Sequence, residues 1–217
     1  MIKKIILISI LTSTLLVAET MKEKGFFLGL DVSHNMTEVS YRKSSSIVRY
    51  NNYSNFENYH PVSIKLGYQY YFTKVYLRFS DPITIQDTTR YAYDIKTKVY
   101  ELNADFIPIL YRSENKKFAI KGVLGIAAGV NASELVEYDK RLFDPMNEDG
   151  TVDPGSQYNM NLGYNIGVMG EFDFGLNLEL GYRFRSGMAL EYSDKDKNEA
   201  TFKLITKEVY LGVNYLF

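Results

Sequence analysis

Apolar residues occupy every second position over most of this chain, the mark of strands with one apolar and one polar face. Phe26, Leu28, Leu30 and Val32 alternate with Phe27, Gly29, Asp31 and Ser33. Val62, Ile64, Leu66, Tyr68 and Tyr70 alternate with Ser63, Lys65, Gly67 and Gln69, and Val75, Leu77 and Phe79 with Tyr76, Arg78 and Ser80. The pattern recurs over 100–106, 118–130, 158–168, 176–184 and 209–217. No segment after residue 18 shows helical periodicity.

Extended to turn signals, these segments predict eight strands, at approximately 24–33, 62–71, 75–80, 99–110, 117–130, 158–172, 175–185 and 204–217. Short turns near 72–73, 111–116 and 173–174 alternate with long connections over 34–61, 81–98, 131–157 and 186–203. Short turns at one end and long loops at the other describe an antiparallel up-and-down meander. An even strand count places both chain ends at the short-turn end. The predicted fold class is all-β, an eight-stranded antiparallel up-and-down transmembrane barrel preceded by a signal peptide.

The N-terminus reads as an export signal. Lys3 and Lys4 precede an apolar run from Ile5 to Val17, shorter than the roughly 20 residues a spanning helix needs. The expected division is a signal peptide over 1–18, cleaved between Ala18 and Glu19, and a single barrel domain over 19–217. An uncleaved anchor and a buried N-terminal helix are the other readings of this segment.

Alternation alone does not say which face is inside. Three features put the apolar face outward, toward lipid. The polar faces mix Gly and Asn with charged residues, which suits a filled polar lumen. Aromatics gather at strand ends: Tyr70, Phe72, Phe118, Phe172, Phe174, Tyr215 and Phe217 near the turns, and Tyr59, Phe79, Tyr100, Tyr158 and Phe184 near the loops. Two interfacial girdles would look like this, with Tyr in place of the absent Trp. Finally, Val209, Leu211, Val213, Tyr215 and Phe217 form an alternating apolar run ending on an aromatic. That run resembles the signal by which outer-membrane barrels are recognised for assembly. A mean hydropathy of −0.21 fits such a chain, because an apolar exterior, charged lumen and polar loops average out.

With these features together, residues 24–217 resemble the small eight-stranded outer-membrane barrels of the OmpA transmembrane-domain and OmpX-like group. The resemblance is architectural. It implies outer-membrane lipids and lipopolysaccharide as surroundings, and the barrel-assembly machinery as a partner through the C-terminal strand. It also implies a surface ligand or host protein as a partner through the loops. It carries over no cell-wall-anchoring role.

The polar faces supply the candidate site. Lys65, Arg78, Glu101, Asp105, Lys121, Glu179, Arg183 and Glu208 would line one lumen with both charge signs. An eight-stranded barrel is just wide enough for side chains to fill, and buried charges need partners. Index sums across the turns pair Asp105 with Lys121, Asn165 with Arg183 and Met169 with Glu179, and Arg183 comes near Glu208 because both lie about eight or nine residues from the short-turn end.

Other chemistry is sparse. The absence of Cys removes disulfides, thiol nucleophiles and Cys-based zinc sites, and a formal net charge of −1 leaves no basic footprint for nucleic acid. The acidic stretch with Asp144, Asn147, Asp149 and Asp153 lacks EF-hand spacing, as does that with Asp194, Asp196 and Asn198. His34 and His60 fall in predicted loops. Neither stands in the His-x-Ser pattern of lipid A deacylases, and no Gly-x-Ser-x-Gly elbow occurs. The first loop, with Tyr50 to His60 rich in Tyr and Asn, has a composition used in binding loops. The expectation is a monomeric, non-enzymatic barrel without cofactor, catalytic residue or metal site, serving envelope integrity or surface interaction. A narrow porin, an outer-membrane lipid-modifying enzyme and a soluble lipocalin-like barrel are the alternatives.

Overall fold

A computed structural model describes residues 23–43, 46–52, 60–87, 93–138, 157–193 and 199–217. The expected signal peptide, its cleavage point, Tyr59 and the acidic stretches lie outside these residues. Ten strands form one sheet: β1 (Lys24–Lys43), β2 (Ser46–Asn52), β3 (Val62–Tyr70), β4 (Thr73–Asp87), β5 (Tyr93–Phe106), β6 (Ile109–Arg112), β7 (Phe118–Tyr138), β8 (Gln157–Phe172), β9 (Leu176–Ser193) and β10 (Glu199–Leu216). They make eight wall positions. β2 and β3 both pair with the same side of β1, at its upper and lower ends. β5 and β6 both pair with β7, interrupted around Pro108, which has no N–H to give a ladder. β10 pairs with β1 from Phe27↔Leu216 to Lys43↔Ala200 and closes the barrel.

At the lower end, tight turns hydrogen-bond to one another. Tyr71 and Gly175 take left-handed φ values of 48° and 91°. The Tyr71 N–H donates to the Glu23 carbonyl at 2.8 Å, Ile107 to Phe72 at 2.7 Å, Asp173 to Lys117 at 3.0 Å and Leu216 to Gly175 at 2.8 Å.

The faces are those of a membrane barrel. Leu28, Leu66, Leu77, Leu124, Ile126, Leu180 and Leu211 point outward and are exposed, whereas Asp31, Lys65, Arg78 and Arg183 point inward and are buried. A soluble lipocalin-like barrel would have the opposite arrangement, so that alternative is overturned. Aromatics pack in pairs along the outer wall near the turns: Phe26 on Tyr68 at 5.1 Å between ring centroids, Phe118 on Phe172 at 5.2 Å and Tyr215 on Phe217 at 5.1 Å. Higher up, Tyr164 stacks on Phe184 at 5.3 Å and Phe79 meets Tyr100 at 5.9 Å.

The strands run well beyond the alternating segments. β1 has 20 residues where alternation predicts 24–33, and β4, β7, β9 and β10 reach into the connections predicted over 81–98, 131–157 and 186–203. The reason is physical. Apolar alternation marks only the part of a strand that faces lipid, a band about 25 Å tall, whereas ladder hydrogen bonds continue above it. There the outward positions are charged, as at Lys96, Lys98, Glu134, Glu191 and Lys203. His34 consequently lies within β1 rather than in a loop.

Candidate functional site

The lumen is filled by a charge network. Among the described residues, six cations (Lys65, Lys74, Arg78, Lys121, Arg183, Arg185) and six anions (Asp31, Glu101, Asp105, Glu171, Glu179, Glu208) are buried. All eight residues singled out from the polar faces are among them. Asp31, Lys74, Glu171 and Arg185 were not singled out, although parity reaches them: Lys74 shares its face with Arg78, and Glu171 with Asn165. Lys74 and Glu171 are missed because they sit beside turns, at the margins of the alternating segments.

Ten of these side chains join in one path that alternates in sign. Asp105 lies 3.7 Å from Lys74, which meets Glu179 at 2.7 Å. Glu179 meets Lys65 at 3.3 Å, and Lys65 meets Asp31 at 2.7 Å. Asp31 pairs with Arg183, which lies 3.5 Å from Glu208. Glu208 meets Arg78 at 2.8 Å, Arg78 meets Glu101 at 3.1 Å, and Glu101 meets Arg185 at 2.6 Å. Lys121 and Glu171 form a separate pair at 2.6 Å nearer the turns, and Gln69 donates to Glu171 at 2.9 Å. The path crosses the lumen repeatedly, because β4 and β9 lie on well-separated parts of the wall.

Neutral groups complete it. The Tyr210 hydroxyl donates to Glu179 at 2.6 Å, and Asn165 donates to Asp105 at 2.9 Å. The Arg183 guanidinium lies 3.4 Å from the Tyr210 ring centroid, and the Lys74 ammonium lies 5.1 Å from that of Tyr76, distances at which a ring face attracts a cation. Small residues make the room. A Cβ on Gly125 would fall 1.9 Å from an Asp105 carboxylate oxygen, and one on Gly212 would fall 2.4 Å from Asp31.

Register explains who meets whom. Glu208 is directly opposite Arg183, Asn165 opposite Arg183 on the other side, and Met169 opposite Glu179. Asp105 is not opposite Lys121. The interruption at Pro108 and the irregularity between Ile109 and Tyr111 shift the pairing, so Asp105 faces Gly125 and Lys121 faces Ile109. Lys121 turns to Glu171 instead. Lys65 and Arg78 stand opposite one another despite like charge, and each turns to its own anions.

Above the network lies a cavity of about 20 Å³, lined by Thr37, Thr97, Asn131, Asn161 and Thr206 with Glu101, Arg185 and Glu208. That is room for about one water molecule. Its lining includes no dyad of a nucleophile with a histidine base, and the two histidines lie elsewhere.

A closed eight-stranded barrel, apolar outside and charged inside, is a transmembrane β-barrel of the small outer-membrane class. Solved structures of that class share its fold. Neisserial surface protein A is 13% identical with a TM-score of 0.50, over 90% of this chain and 100% of that one. Outer membrane protein OprG from Pseudomonas aeruginosa is 12% identical with a TM-score of 0.52, over 91% and 98%. Outer membrane protein AlkL, solved in lipid bilayers, is 9% identical with a TM-score of 0.56, over 93% of each chain. No protein-family model and no curated protein matches the sequence. The fold is therefore that of the OmpA- and OmpX-like barrels of bacterial outer membranes.

Proposed function

We propose that this chain is a non-enzymatic outer-membrane barrel with a sealed lumen, acting in envelope integrity or in recognition at its loop end. The observation that carries this reading is the sign-alternating path from Asp105 to Arg185, which commits the lumen's charged groups to one another. A solvated ion would have to part these pairs to pass, and buried charges are costly to leave without partners. Among the described residues each buried lumenal carboxylate lies against a cation, which disfavours a role as general base. Lipids and lipopolysaccharide meet the apolar outer wall in this reading. The outward row Val209, Leu211, Val213, Tyr215 and Phe217 is what the assembly machinery would recognise, and the barrel acts as a monomer.

Planar-bilayer recording tests the seal. The wild-type protein is expected to give no unitary conductance, with discrete steps appearing only when the network is cut, as in Glu208→Ala. Reproducible single-channel steps from the wild type would establish the narrow-porin alternative instead.

A further inference from the structure

The chain has two histidines, and the fold brings them together. His34 lies in β1, and His60 stands just before β3. Val32 pairs with Val62, and the Ser33 N–H donates to the Pro61 carbonyl at 3.1 Å, so the same register sets His34 opposite His60. Parity puts both on the outer wall, directly above Val32 and Val62, at the upper edge of the lipid-facing band. His60 is exposed and His34 half-buried. On the β10 side His34 faces Val209, with Lys207 diagonal to it.

The ring centroids are 5.4 Å apart, with planes inclined at 38°. A first-row metal binds imidazole nitrogen at about 2.0–2.1 Å, which puts it about 3.2 Å from each ring centre, and tetrahedral ligation then separates the centres by about 5.2 Å. The observed spacing leaves room for both imidazoles to meet one ion. Imidazole suits zinc, copper and nickel, while magnesium and calcium want oxygen. We propose that His34 and His60 chelate a divalent ion of the zinc and copper class at the outer rim of the barrel, with water in the remaining positions. The membrane-facing wall would then carry a metal-capture point.

The test uses the full chain, without an affinity tag, in detergent micelles. Calorimetric titration with copper(II) or zinc(II) alone is expected to show one saturable equivalent, tighter for copper, and none with magnesium. His34→Asn and His60→Asn should each weaken copper binding at least tenfold while the barrel still shows its electrophoretic shift on boiling. No saturable uptake by the wild type, or less than a tenfold loss in either folded variant, overturns the proposal. Should a variant fail to fold, the wild type decides: bound zinc should slow acylation of both histidines by diethyl pyrocarbonate. Unchanged acylation of either one overturns the site.

Discussion

The barrel changes its polarity partway up. In the lower half the outer wall is apolar, with Leu28, Leu66, Leu180 and Leu211 exposed, and the inner wall carries the buried charges of the described residues. In the upper half Lys96, Lys98, Glu134, Glu191 and Lys203 face out, while Ile95, Leu190, Phe202 and Leu204 are buried inside beside uncharged polar groups such as Thr37, Thr97, Asn131 and Ser133. The same strands pass through both regions, and the ladder from Phe27↔Leu216 to Lys43↔Ala200 runs through the boundary. Backbone pairing is therefore indifferent to the surroundings, and side chains alone adapt to them. Below, lipid offers no water, so polar groups must turn inward and find each other. Above, water returns and the wall packs like an ordinary soluble protein.

The contrast can be broken hardest at the hub of the lower half. Glu179 accepts hydrogen bonds from Lys65, Lys74, Tyr210 and Asn214. Glu179→Ala would leave Lys65 with Asp31 alone and Lys74 with Asp105 alone, and is expected to cost about 4 kcal/mol, the scale of cutting a buried ion pair on one side. Denaturant unfolding in micelles, read by the electrophoretic shift on boiling, measures it. Glu179→Gln keeps the shape and one acceptor oxygen and should lose less. Equal losses would mean that shape rather than charge holds this part of the lumen.

The inner wall of the upper half should fail in a different way. Phe202 is fully buried opposite Leu190. Phe202→Ala leaves a cavity and is expected to cost about 3 kcal/mol. The loss should vary little with salt and pH, because the side chain removed carries no charge. A strong salt dependence would place the electrostatic network higher than the contacts do.

The lower half was largely legible in the sequence and the upper half was not, for the same reason. Where lipid bathes the wall, Leu176, Leu178 and Leu180 alternate with Asn177, Glu179 and Gly181, and parity assigns each face. Where water bathes it, Thr37 and Lys203 carry no such signal, so strands that continue look like loops. Partners were legible between sequence-adjacent strands: the index sum through 173–174 pairs Asn165 with Arg183, and equal distance from the turn end brings Arg183 to Glu208, while the interruption at Pro108 spoils the sum through 111–116. Contacts across the lumen, such as Arg183 with Asp31, need the closed barrel, since the two residues lie on non-adjacent strands. The histidine pair was hidden likewise, because a long connection separates its members.

The finest test exchanges the outer walls. Leu180 is 53% exposed on the lipid-facing wall opposite Leu211, and Lys98 is exposed on the charged wall above. Leu180→Arg puts a charge into hydrocarbon near the middle of the band and is expected to cost about 2–3 kcal/mol in bilayer vesicles. In a buffer-facing position the reverse change is nearly free, so Lys98→Leu should shift stability by no more than about 0.5 kcal/mol. The two substitutions are equally drastic as chemistry, and neither touches the lumen. Their ratio therefore reports only what lies outside the wall at each height. A stabilisation of about 2 kcal/mol or more by Lys98→Leu would instead mean that the apolar band reaches as high as Lys98. The histidine rim would then sit in lipid rather than at its edge.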